Sequence, residues 1–125
     1  MWLPIVALII GFVMFYLPHI PIQRDYLPYI GLAVVAGLDS LAGAIRSIIE
    51  GKFNDRVFIS GFFSNTVIAA LLLFLGNKLE IPYVGIAITV ALVIRIFNNL
   101  GFIRRYIIAR LFEKRLSAEK VFPEP

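Results

Sequence analysis

The chain has 125 residues, 60% of them hydrophobic and 16% charged, with a formal net charge of +4 and a mean hydropathy of +0.89, which excludes an ordinary soluble domain. At about 20 apolar residues per span there is room for four transmembrane helices and no extramembrane domain. With no cysteine in the chain, disulfides, thiolate metal sites and cysteine nucleophiles are excluded as well.

The composition predicts an all-α polytopic membrane protein, one membrane domain over residues 1–125, with spans at about 2–17, 27–49, 56–75 and 82–104. The first begins almost at Met1 and has no Lys or Arg before Arg24, so it lacks the basic region of a secretory signal and reads as a retained span. Trp2 and Tyr16 suit its two interfaces. Pro18, Pro21 and Pro28 bracket a short loop that holds the lone His19. No second His or Cys exists to complete a metal site with it, so it reads as a solvated loop residue.

The second span carries small residues at helical spacing: Ala33 and Gly37, then Ala36, Ser40 and Ala44, with Gly43 beside them. In lipid such residues let helix backbones approach closely. Two charges, Asp39 and Arg46, interrupt it seven residues apart. That is two helical turns, too far for direct pairing, so each needs another partner. Arg46 has Glu50 one turn on. The polar turn Glu50–Arg56 (EGKFNDR) makes a helical hairpin, with Asn54 or Asp55 as the cap of the third span. In that span Ser60, Gly61, Ser64 and Asn65 are small or polar, and Gly76 is expected to be its C-cap.

The fourth helical pattern outlasts a bilayer. It starts near Pro82, carries Arg95, Asn98 and Asn99 inside the membrane, and runs to about Phe112 as a basic extension with Arg104, Arg105, Arg110, Lys114 and Arg115. The last residues, SAEKVFPEP, read as a disordered tail. Basic residues cluster at the hairpin turn (Arg46, Lys52, Arg56) and at the C-terminal flank, against Arg24 and Lys78 in the other two loops. The positive-inside rule therefore places both termini in the cytoplasm.

This topology puts three polar residues at one depth. Asp39 lies eleven residues after Pro28 and Arg95 thirteen after Pro82, on spans running in the same direction, so their depths agree within about 3 Å. Asn65 reaches a similar level from the opposite side. An ion pair between Asp39 and Arg95 is expected, with Asn65 and Asn98 or Asn99 satisfying the remaining donors and acceptors. Such groups are costly in hydrocarbon and mark either a structural lock or a relay. A carboxylate paired with an arginine is a poor proton carrier, which favours the structural reading. No phosphate-binding glycine loop, zinc-protease motif or paired carboxylates occur. Neither an enzyme, a cofactor nor a metal is expected, and the basic extension lies against a membrane rather than a nucleic acid.

The stretches GLDSLAGAIRSIIEGKFNDRVFISGFFSN and ALVIRIFNNLGFIRR strongly resemble the small basic protein family of bacteria. The resemblance runs from Tyr29 to Arg105, with one departure: Gly43 is followed by Ala44 where the family usually has a second glycine. It implies a multi-pass protein of the bacterial cytoplasmic membrane, connected with cell division or envelope synthesis, because genes of this family lie near those for FtsA and FtsZ. Two function classes follow. The first is a non-enzymatic scaffold or accessory subunit that self-associates through small-residue faces and offers its basic helix to division or cell-wall proteins. The second is a transport module for an ion, solute or lipid precursor, acting as an oligomer or with a larger partner.

Overall fold

The computed structural model describes residues 2–16 and 21–121 and is helical wherever it is regular. Helix α1 covers Trp2–Tyr16, a 3-10 turn follows at Arg24–Tyr26, and α2, α3 and α4 cover Leu27–Ile49, Asp55–Lys78 and Val84–Val121. The last three are each long and apolar enough to cross a membrane. The 15 residues of α1 reach about 22 Å, short of the ~30 Å of hydrocarbon. Its expected last residue, Leu17, and His19 lie outside the described residues.

α2 packs against both α3 and α4, which also touch each other, whereas among the described residues α1 shares no comparable face with them. The apolar core sits toward the α3–α4 turn. Leu32, Ala36, Ala69, Leu73 and Leu92 are buried there, with Tyr29, Val35, Val84 and Ile88 packed against them.

The small residues of α2 are spent inside this bundle. Ala36, Ala42 and Ala44 are buried, and Ala33 is half-buried. A methyl group added at Gly37 would lie 3.4 Å from the Phe62 ring of α3, and one at Gly43 would lie 3.8 Å from Asn99 of α4. Two neighbours within the chain thus meet the close-packing face that the sequence predicts for α2.

The two interhelical turns use related chemistry. After α2 the amides of Gly51 and Lys52 donate to the carbonyls of Ile48 and Ser47 at 3.1 and 2.9 Å, and Gly51 takes the left-handed conformation that closes such a turn, φ 72°. Asn54 then caps α3, its Oδ1 accepting from the amides of Arg56 at 2.9 Å and Val57 at 3.5 Å. After α3 the same pattern recurs without a glycine. Ile81 donates to the Gly76 carbonyl at 2.9 Å and Glu80 to that of Asn77 at 3.3 Å, and Glu80 holds φ 54°. Gly76 is therefore not the C-cap. It lies inside α3, where a Cβ would come within 2.5 Å of Val84 Cγ2, so its missing side chain lets α4 cross closely.

The expected disordered tail is also corrected. α4 continues without interruption to Val121, 38 residues in all, or about 57 Å. No glycine or proline occurs between Gly101 and Pro123, and the intervening Ala, Leu, Glu, Lys and Arg residues favour helix. Phe122–Pro125 lie outside the described residues.

Candidate functional site

Asp39 is the thirteenth residue of the 23 in α2, at its midpoint, and α2 is the helix with neighbours on both sides. Its side chain is accordingly sealed from solvent, and Arg95 Nη2 of α4 approaches its Oδ2 at 3.2 Å. The contact is an ion pair without hydrogen-bond alignment. Neither carboxylate oxygen has a hydrogen-bond partner among the described residues, nor does the buried Oγ of the adjacent Ser40. The two charges also differ in surroundings: the carboxylate is enclosed, while the Arg95 side chain is 56% exposed at the outer surface of the bundle.

The expected supporting amides are arranged differently. Asn65 is half-buried and Asn98 is exposed, and among the described residues neither bonds to the pair. Asn99 serves the other arginine. Arg46 Nη1 donates to Asn99 Oδ1 at 3.5 Å, and its Nε donates to Glu50 Oε1 at 3.1 Å. The guanidinium also lies 4.6 Å from the centre of the Phe102 ring, a cation–π distance. Arg46 thus fastens the C-terminal end of α2 to α4 through residues 99 and 102, one turn apart. Phe102 escapes a reading built on charged and amide residues alone. Its signal is the i, i+3 spacing to Asn99, which puts both on one face.

Other hydroxyls at membrane depth are satisfied locally. Thr66 donates to the Phe62 carbonyl at 2.9 Å and Thr89 to that of Gly85 at 2.8 Å. Asp55 and Arg56 open α3 and are exposed; the acid in the first turn opposes the positive end of the helix dipole. Gly61 is half-buried with nothing within 4 Å of where its Cβ would stand.

In the extension Arg104, Arg105, Arg110, Lys114 and Arg115 are all exposed. Arg110 Nε donates to Tyr106 Oη at 3.0 Å, one helical turn back. Ile107, Ile108, Leu111, Phe112 and Leu116 are exposed between them. Among the described residues no group of His, Cys, Asp or Glu could hold a metal ion.

The chain is 37% identical over 110 residues to the "Small basic protein" of Bacillus subtilis, an alignment covering 88% of this chain and 90% of the relative. Uncharacterized proteins of Mycobacterium bovis and Mycobacterium tuberculosis are each 37% identical over 102 residues, covering 81% of this chain and 84% of theirs. No solved structure matches. Residues 22–108, which span α2, α3 and the membrane part of α4, match the model for proteins of unknown function DUF1290, and the chain belongs to that family.

Proposed function

We propose that the protein is a non-enzymatic membrane scaffold or accessory subunit of the bacterial cytoplasmic membrane, serving cell division or envelope synthesis. It crosses the bilayer four times with both termini in the cytoplasm, α1 supplying the first span. The observation that carries this reading is α4. At about 57 Å it exceeds the ~30 Å hydrocarbon by some 27 Å. Its exposed end holds Arg104, Arg105, Arg110, Lys114, Arg115 and Lys120 against Glu113 and Glu119, with large apolar side chains between. Such a helix is built to dock on a partner. The resemblance to the small basic protein family supplies division and cell-wall membrane proteins as the partner class. Transport is the weaker reading, because a path needs an accessible carboxylate and that of Asp39 is sealed.

Copurification from native membranes tests the reading, comparing the full chain with one ending at Arg105. The full chain recovers a division or cell-wall protein that the shortened chain loses while still inserting. Equal recovery by both, or none by either, overturns it. The topology has its own test: cysteines at Asn54 and Ser117 resist an impermeant thiol reagent in intact cells, and cysteines at Gln23 or Asn77 react. Labelling of position 54 from outside reverses the orientation.

A further inference from the structure

We infer that a second copy of this chain docks on the face of α4 formed by Ala87, Ala91, Asn98 and Gly101, with the two Asn98 amides hydrogen-bonded to each other. These residues follow one another at spacings of four, seven and three, which brings them to a single side of a helix. Ala87, Ala91 and Asn98 are exposed, and nothing lies within 4 Å of a Cβ built on Gly101. Among the described residues, α2 and α3 leave this face uncovered at Ala87, Ala91 and Asn98.

Asn98 decides what covers it. It stands about 21 Å along α4 from Val84 and so lies inside the hydrocarbon. There an amide without a partner is strongly unfavourable. Unlike Thr66 and Thr89, it makes no side-chain hydrogen bond among the described residues, and α2 turns Asn99 rather than Asn98 toward its own arginine. Helix α1 is a poor occupant, since WLPIVALIIGFVMFY has no side-chain hydrogen-bonding group between Trp2 and Tyr16.

A second copy meets the requirement by symmetry. Two chains inserted the same way hold Asn98 at the same depth, and an amide both donates and accepts, so it complements itself. Arg95 could not play this part, because two guanidinium groups repel. Ala91 and Ala87, two and three turns above Asn98, and Gly101, one turn below, are small, with the exposed Ile94 the large side chain among them, so the backbones can approach above and below the amides while Ile94 packs against its counterpart. Arg105, one turn beyond Gly101, lies at the membrane edge, where its long side chain bends away to lipid phosphate.

This surface deepens the scaffold reading by locating its self-contact, and it can fail while that reading stands. Because the chain has no cysteine, single cysteines report directly. The test uses the purified full chain in phosphatidylethanolamine–phosphatidylglycerol vesicles at low density. Ala91→Cys and Gly101→Cys give dimers with a short bifunctional thiol reagent, while Val34→Cys on α2 and Leu72→Cys on α3 do not. Adding Asn98→Leu to Ala91→Cys weakens dimerisation about threefold to thirtyfold, and Asn98→Gln retains most of it. Four results overturn the proposal: dimers linked equally well at positions 34 or 72, dimers indifferent to Asn98→Leu, monomers only, or an intrachain link between Gly11→Cys and Ala91→Cys. The first three leave the partner-docking extension of α4 untouched, so the scaffold reading is judged separately by copurification.

Discussion

The two ends of the three-helix bundle are held together by different physics. Toward the α3–α4 turn the helices touch closely: a Cβ on Gly76 would come within 2.5 Å of Val84, and one on Gly85 would lie 3.3 Å from Leu73 Cδ1. From the middle of α2 toward the α2–α3 turn a Cβ on Gly61 or Gly101 would have nothing within 4 Å, and beside the buried Ala42 and Ala44 the link is polar, through Asp39 to Arg95 and Arg46 to Asn99. Lipid supplies no hydrophobic drive between helices, so close contact and polar pairing are the two ways left to associate them. One end uses contact and is complete within the chain. The other uses charge and leaves polar groups and small residues facing outward.

The comparison breaks most sharply at Asp39. Asp39→Asn leaves Arg95 without its counter-charge and lowers stability in detergent by about 3–5 kcal/mol, and adding Arg95→Gln recovers part of that loss. A double-mutant cycle on the thermal midpoint checks it, and strictly additive losses would show that the pair does not hold the helices. Arg46→Gln is a milder lesion. Its ion pair with Glu50 is an i, i+4 contact with the arginine side chain 41% exposed, a class worth only about 0.3–0.5 kcal/mol. Losing its Asn99 hydrogen bond and Phe102 contact adds about 1–2 kcal/mol, still less than the loss at the enclosed Asp39.

At the contact end the corresponding lesion is steric. Gly76→Ala places a methyl group into Val84 Cγ2, and overpacking of this kind costs about 1–3 kcal/mol. Gly61→Ala on the same helix, where the space is open, instead gains about 0.5–1 kcal/mol by stiffening the unfolded chain. Measured side by side in detergent, the two substitutions should move the midpoint in opposite directions. Equal responses would mean that the ends are packed alike.

How much of this is legible in the sequence follows the same division. The charge end is legible in part: α2 at residues 27–49 stands out between Pro28 and the polar turn, and depth counting brings Asp39 level with Arg95. It goes wrong on the amides, because depth does not say which way a residue faces around a helix. Asn99 and Asn98 share a depth yet turn to Arg46 and outward respectively. The contact end is barely legible. Gly76, followed by a polar pair, has the signature of a helix cap, and nothing local reveals that Val84 will press on it from the next helix. The reach of α4 could have been read from the absence of any glycine or proline between Gly101 and Pro123, but the polar composition of that stretch suggested a loose tail.

The smallest effect comes from the two turns, which share one hydrogen-bond pattern and differ in the residue at its left-handed position. Gly51 occupies it at φ 72° after α2, and Glu80 at φ 54° after α3. A side chain there meets the backbone carbonyl and costs about 1–2 kcal/mol relative to the right-handed region, a penalty glycine avoids at the expense of greater freedom when unfolded. Glu80→Gly should therefore raise stability by about 1 kcal/mol or less, and Gly51→Ala should lower it by a similar amount. Neither change touches the ion pairs or the core, so both should add to the effects at Asp39 and Gly76 without coupling. If Glu80→Gly destabilises instead, the Glu80 side chain makes a contact at the membrane surface worth more than the backbone strain. The α3–α4 turn would then join the polar residues of α4 as a surface that the bundle alone does not explain.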